Sequence, residues 1–371
     1  MKVTESKRWL SLDVFRGITI ALMILVNSPG NQTSYAWLEH SAWDGCTLAD
    51  LVFPFFLFIV GVSLAFSLTD AMNKAVRRSE LVMKITKRAI IIFLLGLLLN
   101  AFPDHFNFTN IRYYGVLQRI AVCYFFAALL FISVSARVQA LLIITILVGY
   151  YALMTQIPVP GFGAGDLSQA GNVAAYFDRL LFASTHLYKH TFDPEGTLST
   201  LPAIATTLLG NLTGVWLLSK NSLPKKIILI CSGSVLSVIA GLLWNSSFPI
   251  NKTLWSSSYV LFTAGCAGLL LALNIWIIEV KRWRGWSLPF KIFGMNAIAV
   301  YLLHVFFLKI QAKIFMSGAN GYQENLRVYL TDHLFAWTSL PNASLLYAIS
   351  YTLLWLGVLT LLYRRGIFLK I

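Results

Sequence analysis

The stretch Leu48-Ala49-Asp50-Leu51-Val52-Phe53-Pro54, carried on by apolar residues to Leu68, is long enough to cross a bilayer as one helix. About 20 apolar residues are needed to span the hydrocarbon layer. A second apolar run, residues 12–29, closes at Val26-Asn27-Ser28-Pro29-Gly30. Between the two lies a polar loop with Glu39, His40, Trp43 and Asp44. An imidazole, which titrates near neutrality, therefore sits between two membrane helices with carboxylates on both sides.

The rest of the chain has the same character. Its 371 residues are 57% hydrophobic and only 12% charged, and the mean hydropathy is positive. This is the composition of a polytopic membrane protein. Ten spans are expected, near 12–29, 48–68, 87–103, 113–134, 138–156, 198–219, 226–244, 257–279, 290–312 and 343–363. The fold class is all-α, a membrane helix bundle. Without a Pro-, Gly- or Ser-rich linker, residues 1–371 form a single transmembrane domain.

A net charge of +14 could suit nucleic acid, but the cations cluster in short turns between apolar runs. That placement sets membrane topology and excludes a nucleic-acid partner. With the N-terminus in the cytoplasm, every inward connection is basic, from Lys2, Lys7 and Arg8 to Arg364, Arg365 and Lys370. The outward loops hold only Arg112, Arg179, Lys189, Lys252, Lys313 and Arg327. Both termini are then cytoplasmic, and the His40 loop faces outward. The longer outward segments, 157–197 and 313–342, are also where function concentrates in such proteins.

Polar residues inside spans are costly and mark functional sites. Asp13 and Arg16 share a helix face; they pair with each other, or Arg16 meets a phosphate. Arg119, beside Gln118, holds helices together by pairing with Asp104 or Asp50, or forks onto a phosphate or carboxylate. Asn296 and His304 fall on one stripe at multiples of four. Thr47-x-x-Asp50 reads as a capping box, which accounts for both residues. His40 has no capping duty and is able to take a proton or an acyl group. His186 and His190, four apart, are too few for a metal site. The four cysteines give neither metal spacing nor a disulfide framework.

Several motifs together resemble the heparan-α-glucosaminide N-acetyltransferase family. They are Ser11-Leu12-Asp13 with Arg16-Gly17, Trp43-Asp44-Gly45 through Ala49-Asp50-Leu51-Val52-Phe53-Pro54, and Gly115-Val116-Leu117-Gln118-Arg119. Phe192-Asp193-Pro194-Glu195-Gly196, Asn251-Lys252 with Leu254-Trp255-Ser256, Gly294-Met295-Asn296 and the ending from Tyr363 follow in order. The resemblance implies a transmembrane acetyltransferase. It takes acetyl groups from cytosolic acetyl-CoA, its co-substrate, and delivers them to the amine of a glucosamine on the far side. The family's active histidine maps to His40, and Asn27 is a polar family position. The chain looks like a compact bacterial relative of the lysosomal enzyme, lying in the inner (plasma) membrane.

The expected machinery follows from that likeness. His40 acts as base or acetyl acceptor, Asn27 polarises the thioester oxygen and Asp50 orients the imidazole. Arg119, Gln118, Arg16, Asn296 and His304 contact acetyl-CoA. Asp44, Trp43, Glu195 and Asp193 hold the acceptor, an amino sugar or an oligosaccharide ending in one. Membrane lipid and a second copy of the chain, as a homodimer, are the other expected partners; no metal is expected. The rival reading is a transporter that moves an amino sugar without chemistry. Helices broken at mid-membrane would favour it, and Pro54 is expected to break the second span.

Overall fold

The computed structural model describes residues 9–102, 110–318 and 322–368. Lys2, Lys7, Arg8, Asp104 and Lys370 lie outside the described residues, as does the side chain of Lys189. Among the described residues the fold is all-helical apart from two short β-hairpins.

Among the described residues, eight helices are long and apolar enough to cross a membrane. They are α1 (Leu10–Asn27), α2 (Leu48–Asn73), α4 (Val116–Ser133), α5 (Ala136–Gln156), α7 (Thr197–Leu218), α8 (Leu223–Trp244), α9 (Ser257–Ile275, with a π-helical turn continuing to Val280) and α13 (Leu340–Arg364). Each coincides with an expected span. The helix α3 (Arg78–Ala101) falls short, because Arg78, Glu80, Lys84, Lys87 and Arg88 crowd its first half.

Two expectations need correction. The run 290–312 is not one straight span: α10 (Leu288–Met295) and α11 (Ala297–Lys313) are bent by 74° at Asn296. Asn296 has φ −123° and ψ 31°, outside helical geometry, so it closes one helix and opens the next. Pro54, in contrast, breaks nothing, for α2 runs unbroken through it. It sits in the second turn, where the loss of one N–H donor interrupts the ladder only once.

The chain forms two compact units. One comprises Trp9, Trp43–Gly45 and the described part of Pro54–Lys281; the other comprises Leu10–Ala42, Cys46–Phe53 and the described part of Arg282–Ile371. In the first, α8 packs on α9, α3 on α4, and α7 against α4, α5 and α9. Glycines permit a close approach of α2 and α7: a Cβ on Gly61 would run into the Thr207 carbonyl, and one on Gly210 into that of Phe58. In the second unit, α1 packs on α10 and α13. There a Cβ on Gly17 would strike the Phe290 carbonyl, and one on Gly294 that of Asp13.

Burial follows composition. The span of α2 is apolar on all sides and 72% buried, as expected of an interior helix. That of α8 is only 17% buried and turns Leu229, Leu236, Ile239, Leu242 and Leu243 outward, an apolar face suited to lipid.

The long loops are structured. Residues 157–197 contain a hairpin of β1 (Pro158–Val159) and β2 (Gly163–Ala164), the short helix α6 (Val173–Leu181) and two 3₁₀ turns. Residues 313–342 contain the hairpin β3 (Phe315–Ser317) with β4 (Gln323–Asn325) and the helix α12 (Leu326–Leu334). His186 and His190 lie in separate 3₁₀ turns, and their Nδ1 atoms bond the carbonyls of Ile111 (2.7 Å) and Ser184 (3.1 Å). They therefore share no helix face.

Candidate active site

The crossing from α1 to α2 is pinned to the start of α13. Gly30 N donates to Ser344 Oγ (3.0 Å), Asn31 Nδ2 to the Leu340 carbonyl (3.1 Å) and Tyr35 Oη to Asn342 Oδ1 (2.5 Å). A small pocket opens beside it, lined by Leu25, Pro29, Tyr35, Leu38 and Leu345 among others. Asn27 stands exposed at the last position of α1.

His40 follows two residues after Leu38. Its Nδ1 lies 2.8 Å from Asp50 Oδ1, in the first turn of α2. Asp50 is 1% exposed. Its Oδ2 accepts from the backbone amides of Ser41 (3.0 Å) and Thr47 (3.1 Å). A buried carboxylate must be hydrogen-bonded, and donors of this kind contribute roughly 1.5–3 kcal/mol each. The Thr47 hydroxyl donates to the Glu39 carbonyl at 2.6 Å and lies 3.1 Å from Asp50 Oδ2.

The capping box is thus only half of the account. Asp50 does accept from the Thr47 amide, as a box requires, but the Thr47 hydroxyl is turned back to the loop. The remaining capacity of Asp50 holds Ser41 and His40. An ionised carboxylate can only accept, so Nδ1 carries a proton in this pair. The His40 side chain is 48% exposed.

Elsewhere in the same unit, Arg16 Nη1 lies 3.4 Å from Asp13 Oδ1, as their spacing requires, and 3.3 Å from the Gly294 carbonyl. Asn296 occupies the break, so it caps α11 instead of continuing its stripe. Its carbonyl still accepts the Val300 amide (2.9 Å), and the Val300 carbonyl bonds His304 Nδ1 (3.0 Å). His304 is fully buried, and its Nε2 has no partner among the described residues.

The other unit gathers a second polar cluster. Arg112 donates Nε to Asp193 Oδ2 (2.7 Å) and Nη2 to both Asp193 Oδ1 (2.6 Å) and Glu195 Oε2 (2.5 Å). Asp178 Oδ1 accepts from Tyr114 Oη and from the Thr197 amide, both at 2.9 Å, and so caps α7. Burial pushes the Asp178 carboxyl up to about 6, despite those donors. Burial also opposes ionisation of Glu195, but Arg112, Arg119 and Lys252 outweigh it and hold the group below its ordinary range. Arg112, Tyr114 and Asp178 were not anticipated. The available signal was the polar run Arg112-Tyr113-Tyr114 directly before the Gly115–Arg119 motif, where Arg112 counted only toward topology.

Trp43 and Asp44 belong to this unit. Trp43 Nε1 donates to the Leu167 carbonyl (3.0 Å), and its ring meets Phe192 edge-on at 5.6 Å. Its polar edge is therefore spent on anchoring the 157–197 loop. Asp44 is exposed and accepts from Asn251 Nδ2 at 3.1 Å.

Of the two carboxylates considered as partners for Arg119, Asp104 lies outside the described residues. Asp50 is taken up by the His40 loop, and Arg119 Nη2 donates to Ser199 Oγ and to the Gly196 carbonyl (3.3 Å). Its guanidinium lies over the Trp255 ring, 4.9 Å from the centroid. Trp255 is held at φ +51°, a left-handed conformation that costs a bulky residue about 1–3 kcal/mol. Gln118 packs its carbonyl oxygen against glycines: a Cβ on Gly115 would lie 2.7 Å from it.

These features define a multi-pass α-helical membrane protein with an exposed histidine backed by a buried carboxylate. The chain belongs to the heparan-α-glucosaminide N-acetyltransferase family. Residues 8–243 match the family model described as heparan-alpha-glucosaminide N-acetyltransferase, catalytic. The chain is 31% identical over 422 residues to the human heparan-alpha-glucosaminide N-acetyltransferase, covering 98% of this chain and 60% of that protein. To the mouse protein of the same name it is 31% identical over 428 residues, covering 99% and 61%. The chain thus spans about three fifths of the length of these curated relatives.

Proposed function

We propose that this chain is a transmembrane acetyltransferase of the bacterial inner membrane. It moves an acetyl group from cytosolic acetyl-CoA to the amine of a glucosamine-type sugar on the outer side. The observation that carries the reading is the His40–Asp50 pair in a member of this family. All ten helical runs cross the membrane, counting α3 and the bent pair α10–α11, with both termini cytoplasmic. The whole chain works as one catalytic domain and assembles as a homodimer.

Asp50 fixes the ring so that Nε2 faces the reactants. In one route Nε2 takes a proton from the sugar ammonium. The freed amine attacks the thioester carbonyl, the C–N bond forms, the C–S bond breaks, and CoA leaves as the thiol. In the other, Nε2 itself attacks. An acetyl-imidazole forms as CoA leaves, and the amine then takes the acetyl group and restores His40. Asn27 polarises the thioester oxygen. Arg119, Gln118, Arg16, Asn296 and His304 contact acetyl-CoA. Asp44, Trp43, Asp193 and Glu195 hold the sugar, with the ionised Glu195 suited to an ammonium group.

The test is made on purified protein in detergent. Acetyl-CoA with glucosamine should release free CoA, and His40→Ala should abolish the release. Rapid quench with labelled acetyl-CoA alone separates the routes, since only the second labels His40.

The bent pair α10–α11 is the observation that favours the rival reading, because discontinuous spans are common in transporters. Amino-sugar uptake into proteoliposomes without acetylation would decide for it.

A further inference from the structure

Arg119 is the fourth residue of α4 and is 2% exposed. Its Nη2 has two acceptors, Ser199 Oγ and the Gly196 carbonyl. Its Nε and Nη1 are buried without any acceptor among the described residues. An unmet buried donor costs roughly 1–3 kcal/mol, more for a charged group. The site therefore lacks oxygen acceptors.

It does not lack negative charge. Around the start of α7, the cations Arg112, Arg119 and Lys252 face the anions Asp178, Asp193 and Glu195. Arg112 grips Asp193 and Glu195 directly. Glu195 immediately precedes Gly196, whose carbonyl Arg119 holds. A phosphate placed on Arg119 would bring further negative charge next to these carboxylates in a low-dielectric setting, where like charges repel strongly. A carbonyl oxygen would satisfy the same donors without that cost.

We propose that Arg119 donates to a carbonyl oxygen, amide or thioester, of the pantetheine arm of the acyl donor, and does not anchor a phosphate. This rests on the reading that the chain binds acetyl-CoA, and it assigns the part of that molecule Arg119 takes. The Arg119 guanidinium lies over the face of the Trp255 indole, itself 1% exposed, so a ligand reaches the guanidinium at its edge, where Nε and Nη1 point, and not through its face.

The experiment compares acetyl-CoA with acetyl-pantetheine, which lacks the nucleotide and its phosphates. The wild type, Arg119→Gln and Arg119→Lys are assayed for kcat/KM with both donors and for KM of the amino sugar. Arg119→Gln should lower kcat/KM by roughly 10- to 100-fold, by the same factor for both donors, with the KM for the sugar unchanged. A loss confined to acetyl-CoA would assign Arg119 to phosphate and overturn the proposal. A change confined to the KM of the sugar would assign it to a hydroxyl, with the same result. If Arg119→Gln does not fold, Arg119→Lys carries the comparison, since it keeps the charge but not the planar fork. Calorimetric binding of desulfo-CoA to the wild type keeps the two ideas apart. No binding refutes the acetyl-CoA reading itself, whereas binding with no effect at Arg119 refutes only this assignment.

Discussion

His40 Nδ1 stands 2.8 Å from Asp50 Oδ1, and the carboxylate that holds the imidazole also holds the amides of Ser41 and Thr47. One buried group thus fixes the ring, the loop on which it sits and the start of α2. Asp50→Asn keeps the shape and removes the charge. It should lower kcat by about 10²-fold or more, while Asp50→Ala should also lower the melting temperature. An Asp50→Asn protein that releases CoA as fast as the wild type would remove the pair from the mechanism.

Arg112 bridges Asp193, whose side chain is fully buried, and Glu195, which is nearly so. Arg112→Met would leave both carboxylates without their cation. Removing one partner of a buried pair costs roughly 3–5 kcal/mol. A clear drop in the melting temperature in detergent is expected, and an unchanged melting curve would show that the fork contributes nothing.

The Asp178 carboxyl titrates at about 6 in the fold, above its ordinary 3.8. Its folded value is raised, so the fold favours the protonated form. Stability is greatest below the unfolded value, declines as pH rises from about 4 to about 6, and is flat above that. The span corresponds to roughly 2–3 kcal/mol. Asp178→Asn should flatten melting temperature against pH in that window; an identical slope in wild type and variant would contradict it.

Gly17 and Gly294 let α1 and α10 approach until a Cβ on either would enter the other's backbone. Gly17→Val or Gly294→Val should prevent that packing and sharply reduce the yield of monodisperse protein on size-exclusion chromatography. Gly357, whose Cβ would meet nothing within 4 Å, serves as the control, and Gly357→Ala should behave as wild type.

The polar cluster around Arg112 shows why part of the candidate site escaped a reading along the chain. Arg112 is 81 residues from Asp193 and well before Asp178, and each alone resembles an ordinary loop charge. Their connection depends on how the 157–197 loop folds over the starts of α4 and α7. Trp43 shows the converse: its place in a motif was visible, but not that its indole N–H is spent on Leu167.

Hydrophobic run length marked ten spans, and eight of them are membrane-length helices among the described residues, because a bilayer demands about 20 apolar residues whatever packs around them. The polar loop with His40 was equally plain, since charge stands out against an apolar chain. Tertiary structure alone decided that Asp50 serves His40 and not only its own helix, that Pro54 leaves α2 intact, and that Asn296 breaks the run 290–312. Those outcomes depend on which donors meet a buried acceptor, and such meetings are set by packing in three dimensions, not by spacing along the chain.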